Sequence, residues 1–183
     1  VSRRALAALL ALACAGASPA ARPPTALRLA DGATGAPLLS CVLRDGERAV
    51  LTWRNSLFGL DVTEVFVARG GGLELSSVSF AQPGGGPPPA ARAEDLDDLY
   101  HTGGPFAVEG IARPVRHVVF RVGAIGDPTF TVAGSCVAGP REDGSGSRRL
   151  RFLDEVGFGG TVVLDASSGA LAGPPPAEAK PRS

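Results

Sequence analysis

The chain has 183 residues, a length suited to one domain with tails, and its 18 basic and 18 acidic side chains cancel to no net formal charge. That balance excludes the strongly basic footprint of a nucleic-acid-binding domain. With 25 glycines, 16 prolines and no methionine, the composition argues against a helical protein and for short segments joined by turns.

At the amino terminus, Ser2, Arg3 and Arg4 precede an apolar run over residues 5–13, and small residues and prolines follow over 15–24. Such a run is far short of the roughly 20 residues a membrane-spanning helix needs, but it suits the apolar region of an export signal. The expectation is a signal peptide over 1–21, cleaved near Ala20 or Ala21. In a competing reading, Leu10-Ala11-Leu12-Ala13-Cys14 resembles a bacterial lipobox. Cys14 is then the candidate lipidation site, and a lipid anchor the one expected route to a membrane. With Cys14 set aside, Cys41 and Cys136 form an even pair in an exported chain, which reads as a disulfide and a periplasmic or otherwise extracytoplasmic location. Two separated cysteines with only His101 and His117 offer no zinc spacing.

Beyond the signal, short segments rich in Val, Leu, Phe and Thr alternate with turn clusters. Residues 26–30 and 37–43 read as strands about a turn at 31–35, and Asp45-Gly46 is the next turn. Residues 48–55 form the clearest strand, with Leu51 and Trp53 on one face and Val50, Thr52 and Arg54 on the other. Residues 61–68 follow, with Val62, Glu64 and Phe66 on one face. Glycines 70–72 turn the chain into a third strand over 73–81, which completes an antiparallel meander. Residues 82–91 read as a Gly- and Pro-rich loop, and 93–100 as the one segment with helical leucine spacing. Later strands are expected at 106–109, 115–122, 130–133, 150–152 and 161–165, with a flexible connection over 138–149. The fold class is all-β: an antiparallel sandwich or partly open barrel of about eight to ten short strands with at most one short helix. The domain spans 22–168, and 169–183 reads as a disordered tail.

Chemistry-bearing patterns are sparse. Gly144-Ser145-Gly146 resembles a nucleophile elbow but has no strand feeding it. The acidic run from Glu94 to Asp98 lacks the spacing of a calcium loop. Pro87 follows the glycines at 84–86 and removes a backbone donor that a phosphate cradle needs. No catalytic residue, metal or cofactor is therefore expected, and a hydrolase has only Glu64, Tyr100 and His101 as polar groups to draw on. The polar residues singled out for binding are Arg54, Asn55, Ser56, Glu64 and Tyr100. On adjacent strands of a hairpin, Arg54 or Asn55 is expected to face Glu64 across the ladder.

The order of elements resembles the DUF1850 family, small exported or membrane-associated bacterial proteins often encoded beside TRAP transporters of the TAXI type. The resemblance rests on Leu51-Thr52-Trp53-Arg54-Asn55-Ser56, Val62-Thr63-Glu64-Val65-Phe66, Gly72-Leu73-Glu74-Leu75 and Phe80. It continues through Gly104-Pro105-Phe106 and Val118-Val119-Phe120-Arg121-Val122-Gly123 to Phe130-Thr131-Val132, and covers about residues 27–137. Where the family usually has His-Ser, this chain has Asn55-Ser56, and Asn keeps a hydrogen-bonding side chain but no titratable base. The resemblance implies a non-enzymatic accessory to solute uptake, with a TRAP transporter membrane subunit or its solute receptor as partner. The alternative expectation is a β-module that binds a small ligand or an envelope glycan.

Overall fold

A computed structural model describes residues 22–138, 147–169 and 171. The expected signal peptide with Cys14, most of the 138–149 connection including Gly144-Ser145-Gly146, and nearly all of the expected tail lie outside the described residues.

The described chain is an antiparallel β-sandwich. Its strands are β1 (Thr25–Asp31), β2 (Pro37–Leu43), β3 (Arg48–Arg54), β4 (Asp61–Arg69), β5 (Gly72–Phe80), β6 (Phe106–Val115), β7 (His117–Arg121), β8 (Thr129–Ala133), β9 (Ser135–Ala138), β10 (Ser147–Arg151) and β11 (Thr161–Ser168). One sheet runs β7-β11-β1-β2-β9 and the other β10-β8-β3-β4-β5-β6. The meander over β3, β4 and β5 is present and extends to β6. After it, β7 to β11 fall alternately in the first and second sheet, so the carboxy-terminal half laces the two layers together.

Alternation explains which residues fill the interior. Leu27 and Leu29 of β1 and Leu39, Cys41 and Leu43 of β2 are wholly buried at spacing two, and Val62, Phe66, Phe80 and Phe130 meet them from the other sheet. The β4–β5 hairpin closes through Gly70 and Gly71, both at positive φ (56° and 82°), as a two-residue hairpin turn of matching twist requires.

Several boundaries differ from the sequence reading. The segment expected over 93–100 is a 3₁₀ turn (Ala93–Asp95) running into α1 (Leu96–Thr102), which buries Leu96. The strand expected over 150–152 ends at Arg151; Phe152 instead opens a five-residue turn of helix, α2 (Phe152–Val156), and buries its ring against Phe120. The strand expected over 115–122 divides, because Val115 completes β6 in one sheet and His117 begins β7 in the other. Strand β9 is only four residues long, too short for an alternating pattern to announce it.

Cys41 and Cys136 are direct partners across β2 and β9 and form a disulfide. The bridge joins the first hairpin to a strand 95 residues later. Such a bond fits an extracytoplasmic, oxidising location. Among the described residues no helix is long and apolar enough to cross a membrane.

Candidate functional site

Glu64 is a half-buried carboxylate that faces the interior. On β4 it alternates with Val62 and Phe66, so its side chain leaves the backbone toward the core, and its direct partner on β3 is Leu51. Trp53, one step along the same face of β3, donates its indole Nε1–H to Glu64 Oε1 at 3.2 Å. Tyr100 reaches over from α1 and donates its hydroxyl to the same oxygen at 3.0 Å. Burial pushes the Glu64 carboxyl above its ordinary range, and the hydrogen bonds from Tyr100 and Trp53 pull partly against that shift. Tyr100 is itself raised by burial and by the neighbouring Glu64 charge, so its hydroxyl stays a donor.

Aromatic rings hold this arrangement in place. Phe80, wholly buried on β5, meets Trp53 edge-on at 6.1 Å and Tyr100 edge-on at 5.7 Å, and stacks on Phe106 at 4.5 Å. α1 stops at Gly103, whose φ of 68° and ψ of −168° lie in a region nearly confined to glycine. A Cβ there would overlap the ring of Phe58, so the end of α1 rests on the β3–β4 turn.

Glu64 lines a cleft of about 280 Å³ between the sheets. Leu51 and Trp53 of β3 form its inner wall, β7 supplies Phe120 and Arg121, and Pro128 and the glycines at 123 and 126 complete it. Glu64 and Arg121 are the charged residues among those lining it, and Arg121 is exposed.

The five candidate residues divide into two groups. Glu64 and Tyr100 are brought together. Arg54, Asn55 and Ser56 are not part of their cluster, and the expected pairing of Arg54 or Asn55 with Glu64 does not form. Arg54 points to the outer face, where it pairs with its register partner Asp61 at 2.9 Å; Glu64 is three residues further along β4 on the inner face. Asn55 is buried and turns back into its own loop, where Oδ1 accepts the backbone N–H of Leu57 and of Phe58 at 2.9 and 3.0 Å. Ser56 is exposed on that turn, and His101 is exposed at the end of α1. His117 lies on the outer face of β7, 2.7 Å from Asp165 of β11. Sequence reasoning missed Trp53 as a partner of Glu64. The signal lay in the alternation itself, since Glu64 shares its face with two core residues.

Close to this cleft, three loops meet at one end of the sandwich. The backbone N–H of Arg54 bonds the carbonyl of Gly126 at 2.7 Å, and Val122 exchanges hydrogen bonds with Gly159 and Gly160 at 2.8 and 2.9 Å. These stitched loops carry Leu57, Phe58, Ile125 and Phe158, which are 83%, 41%, 63% and 77% exposed.

Compared with family models, curated proteins and solved structures, the chain matches none.

Proposed function

We propose that the protein is a non-enzymatic extracytoplasmic accessory to a solute uptake system of the TRAP type, and that it docks on a transporter membrane subunit or on the solute receptor. The observation that carries this reading is the apolar loop end formed by Leu57, Phe58, Ile125 and Phe158. A partner that covers these side chains removes them from water, at roughly 25 cal/mol per Å² of apolar surface. The ordered motifs that resemble DUF1850 supply the choice of partner, and the disulfide supports the compartment. The polar cluster supports binding over catalysis. Tyr100 is held protonated, and among the described residues the side chains hydrogen-bonded to Glu64 are Trp53 and Tyr100, neither of them a nucleophile or a proton-shuttling histidine.

The test is cross-linking in the native host followed by affinity capture and mass spectrometry, with an unrelated exported β-protein as control. The expected result is specific enrichment of a transporter membrane subunit or its receptor, lost in a Leu57→Ser/Phe158→Ser variant that still folds. Enrichment of nothing beyond the control overturns the reading.

A second reading, a small-ligand binding module, is favoured by the cleft at Glu64. Saturable heat stabilisation by members of a ligand screen is its expected signature.

A further inference from the structure

The cleft carries more than its shape. Oxygen Oε1 of Glu64 accepts both hydrogen bonds, and among the described residues no donor reaches Oε2. Burial penalises the charged carboxyl, Oε2 is not sealed from solvent, and Arg121 is the cation among the residues lining the cleft, so a ligand that brings donors to Oε2 can complete the hydrogen bonding of the carboxylate. Around that oxygen the walls are largely apolar, from Leu51, Trp53, Phe120 and Pro128.

We propose that this cleft binds a small organic cation, a primary ammonium compound whose N–H groups meet Glu64 Oε2 while its carbon body lies along Trp53, Leu51 and Phe120. The inference rests on the small-ligand reading and names the ligand's chemical class. An ammonium group supplies a compact positive charge and up to three donors, and indole is the ring best suited to a neighbouring cation. The volume, near the lower bound of ordinary ligand cavities, favours a small molecule. A metal ion is a poorer occupant: no cluster of three or more His, Cys, Asp or Glu exists among the described residues, whereas Ca²⁺ takes six to eight oxygens.

The pH behaviour follows from the groups that face Glu64. Its neighbours Leu51 on β3 and Val78 on β5 are apolar, as is the ring of Trp53 apart from its donor. From α1 comes Tyr100, which stays protonated, with the Asp97–Arg113 pair acting on that hydroxyl; from β7 comes the guanidinium of Arg121. Glu64 is therefore the group that titrates, and an amine should release as acid protonates it.

Trp53 is the sole tryptophan of the chain, so its emission reads the cleft directly. The experiment titrates the folded protein with butylamine, benzylamine and putrescine, and in parallel with the matched alcohols and carboxylates. The expected result is a saturable change with the amines alone. It should weaken at least about tenfold in Glu64→Gln, which keeps an oxygen acceptor for Trp53 and Tyr100, and fade as the pH is lowered. Equal or stronger binding of the alcohols or carboxylates overturns the cationic class but leaves the small-ligand reading standing. Silence with all three classes overturns both, and undiminished amine binding by Glu64→Gln overturns the assignment to this carboxylate. The wild-type comparison of amine with alcohol holds whether or not the variant folds.

Discussion

The two edges of the first sheet are built to opposite ends. At one edge, β9 is four residues long and is clamped to β2 by the Cys41–Cys136 disulfide, with Leu39, Cys41 and Leu43 of β2 wholly buried behind it. At the other, β7 pairs only with β11, leaves Val119 55% exposed, and borders a cleft that holds a partly buried carboxylate. An unprotected edge strand is an association hazard that folds usually blunt. Here one edge strand is stapled covalently, and the other, β7, has no such staple and faces Glu64 of the second sheet across the cleft. The difference teaches that stability is concentrated where the chain is stapled, while the cleft lies beside the edge that has no such staple.

The largest expected effect comes from opening the sealed edge. A Cys41→Ser/Cys136→Ser variant frees a loop of 95 residues in the unfolded chain, which the chain-entropy model values at about 4–5 kcal/mol as an upper estimate. Denaturant unfolding should show a loss in the upper part of the 2–5 kcal/mol range. The cleft, as read by Trp53 emission at temperatures where the variant still folds, should be unchanged. A collapse of the Trp53 signal before global unfolding would show that the two edges are not independent.

A smaller loss is expected from the turn that carries part of the apolar end. Asn55→Ala removes the side-chain oxygen that accepts the N–H groups of Leu57 and Phe58, and should cost about 1–2 kcal/mol. Asn55→Asp keeps an acceptor and should recover most of it. If the apolar end acts as a unit, Asn55→Ala should also reduce partner capture, because Leu57 and Phe58 lose their fixed turn. Unchanged unfolding midpoints for both variants would separate this residue from the turn.

Local patterns in the sequence carried the strands well. The alternation of Leu51 with Trp53, and of Val62 with Glu64 and Phe66, gave the hairpin its strands and their inner faces, and the glycine run at 70–72 gave the next turn. The pairing across that hairpin was not legible, because register depends on the turn: the loop from Asn55 to Leu60 sets Arg54 opposite Asp61 and leaves Glu64 inside. Phe152 differs from its expected place in a strand because Leu150 and Phe152 flank Arg151 at strand spacing, a pattern that does not distinguish the end of a strand from the start of a helical turn. Tyr100 was legible as a polar residue, but its meeting with Glu64 depends on docking α1 across the sheet, a tertiary event with no local signature. The disulfide needed only cysteine parity and the expected export signal, whereas β9, which brings Cys136 into place, is too short to stand out.

The smallest effect, and the one with reversed sign, sharpens the comparison furthest. Because burial raises the Glu64 carboxyl above its unfolded value of about 4.5, the folded state binds the proton more tightly than the unfolded chain. Below that value both states are protonated and Glu64 costs nothing by this route. As the pH rises through the raised folded value, stability falls, and it stays lower above it. Glu64→Gln has no such proton to lose. The variant should therefore match the wild type near pH 4 and be modestly more stable at neutral pH, by less than the Asn55→Ala loss. Asp31 and Asp45 push the other way in both proteins: their carboxyls are lowered chiefly by the backbone N–H groups of Ala33 and Gly70, so they cancel in the difference. Unfolding midpoints for the pair across pH 4 to 8 make the measurement. A variant less stable at neutral pH would mean that the ionised carboxylate contributes to the fold through Trp53 and Tyr100; a more stable one fits a group kept for binding at a cost to the domain that carries it.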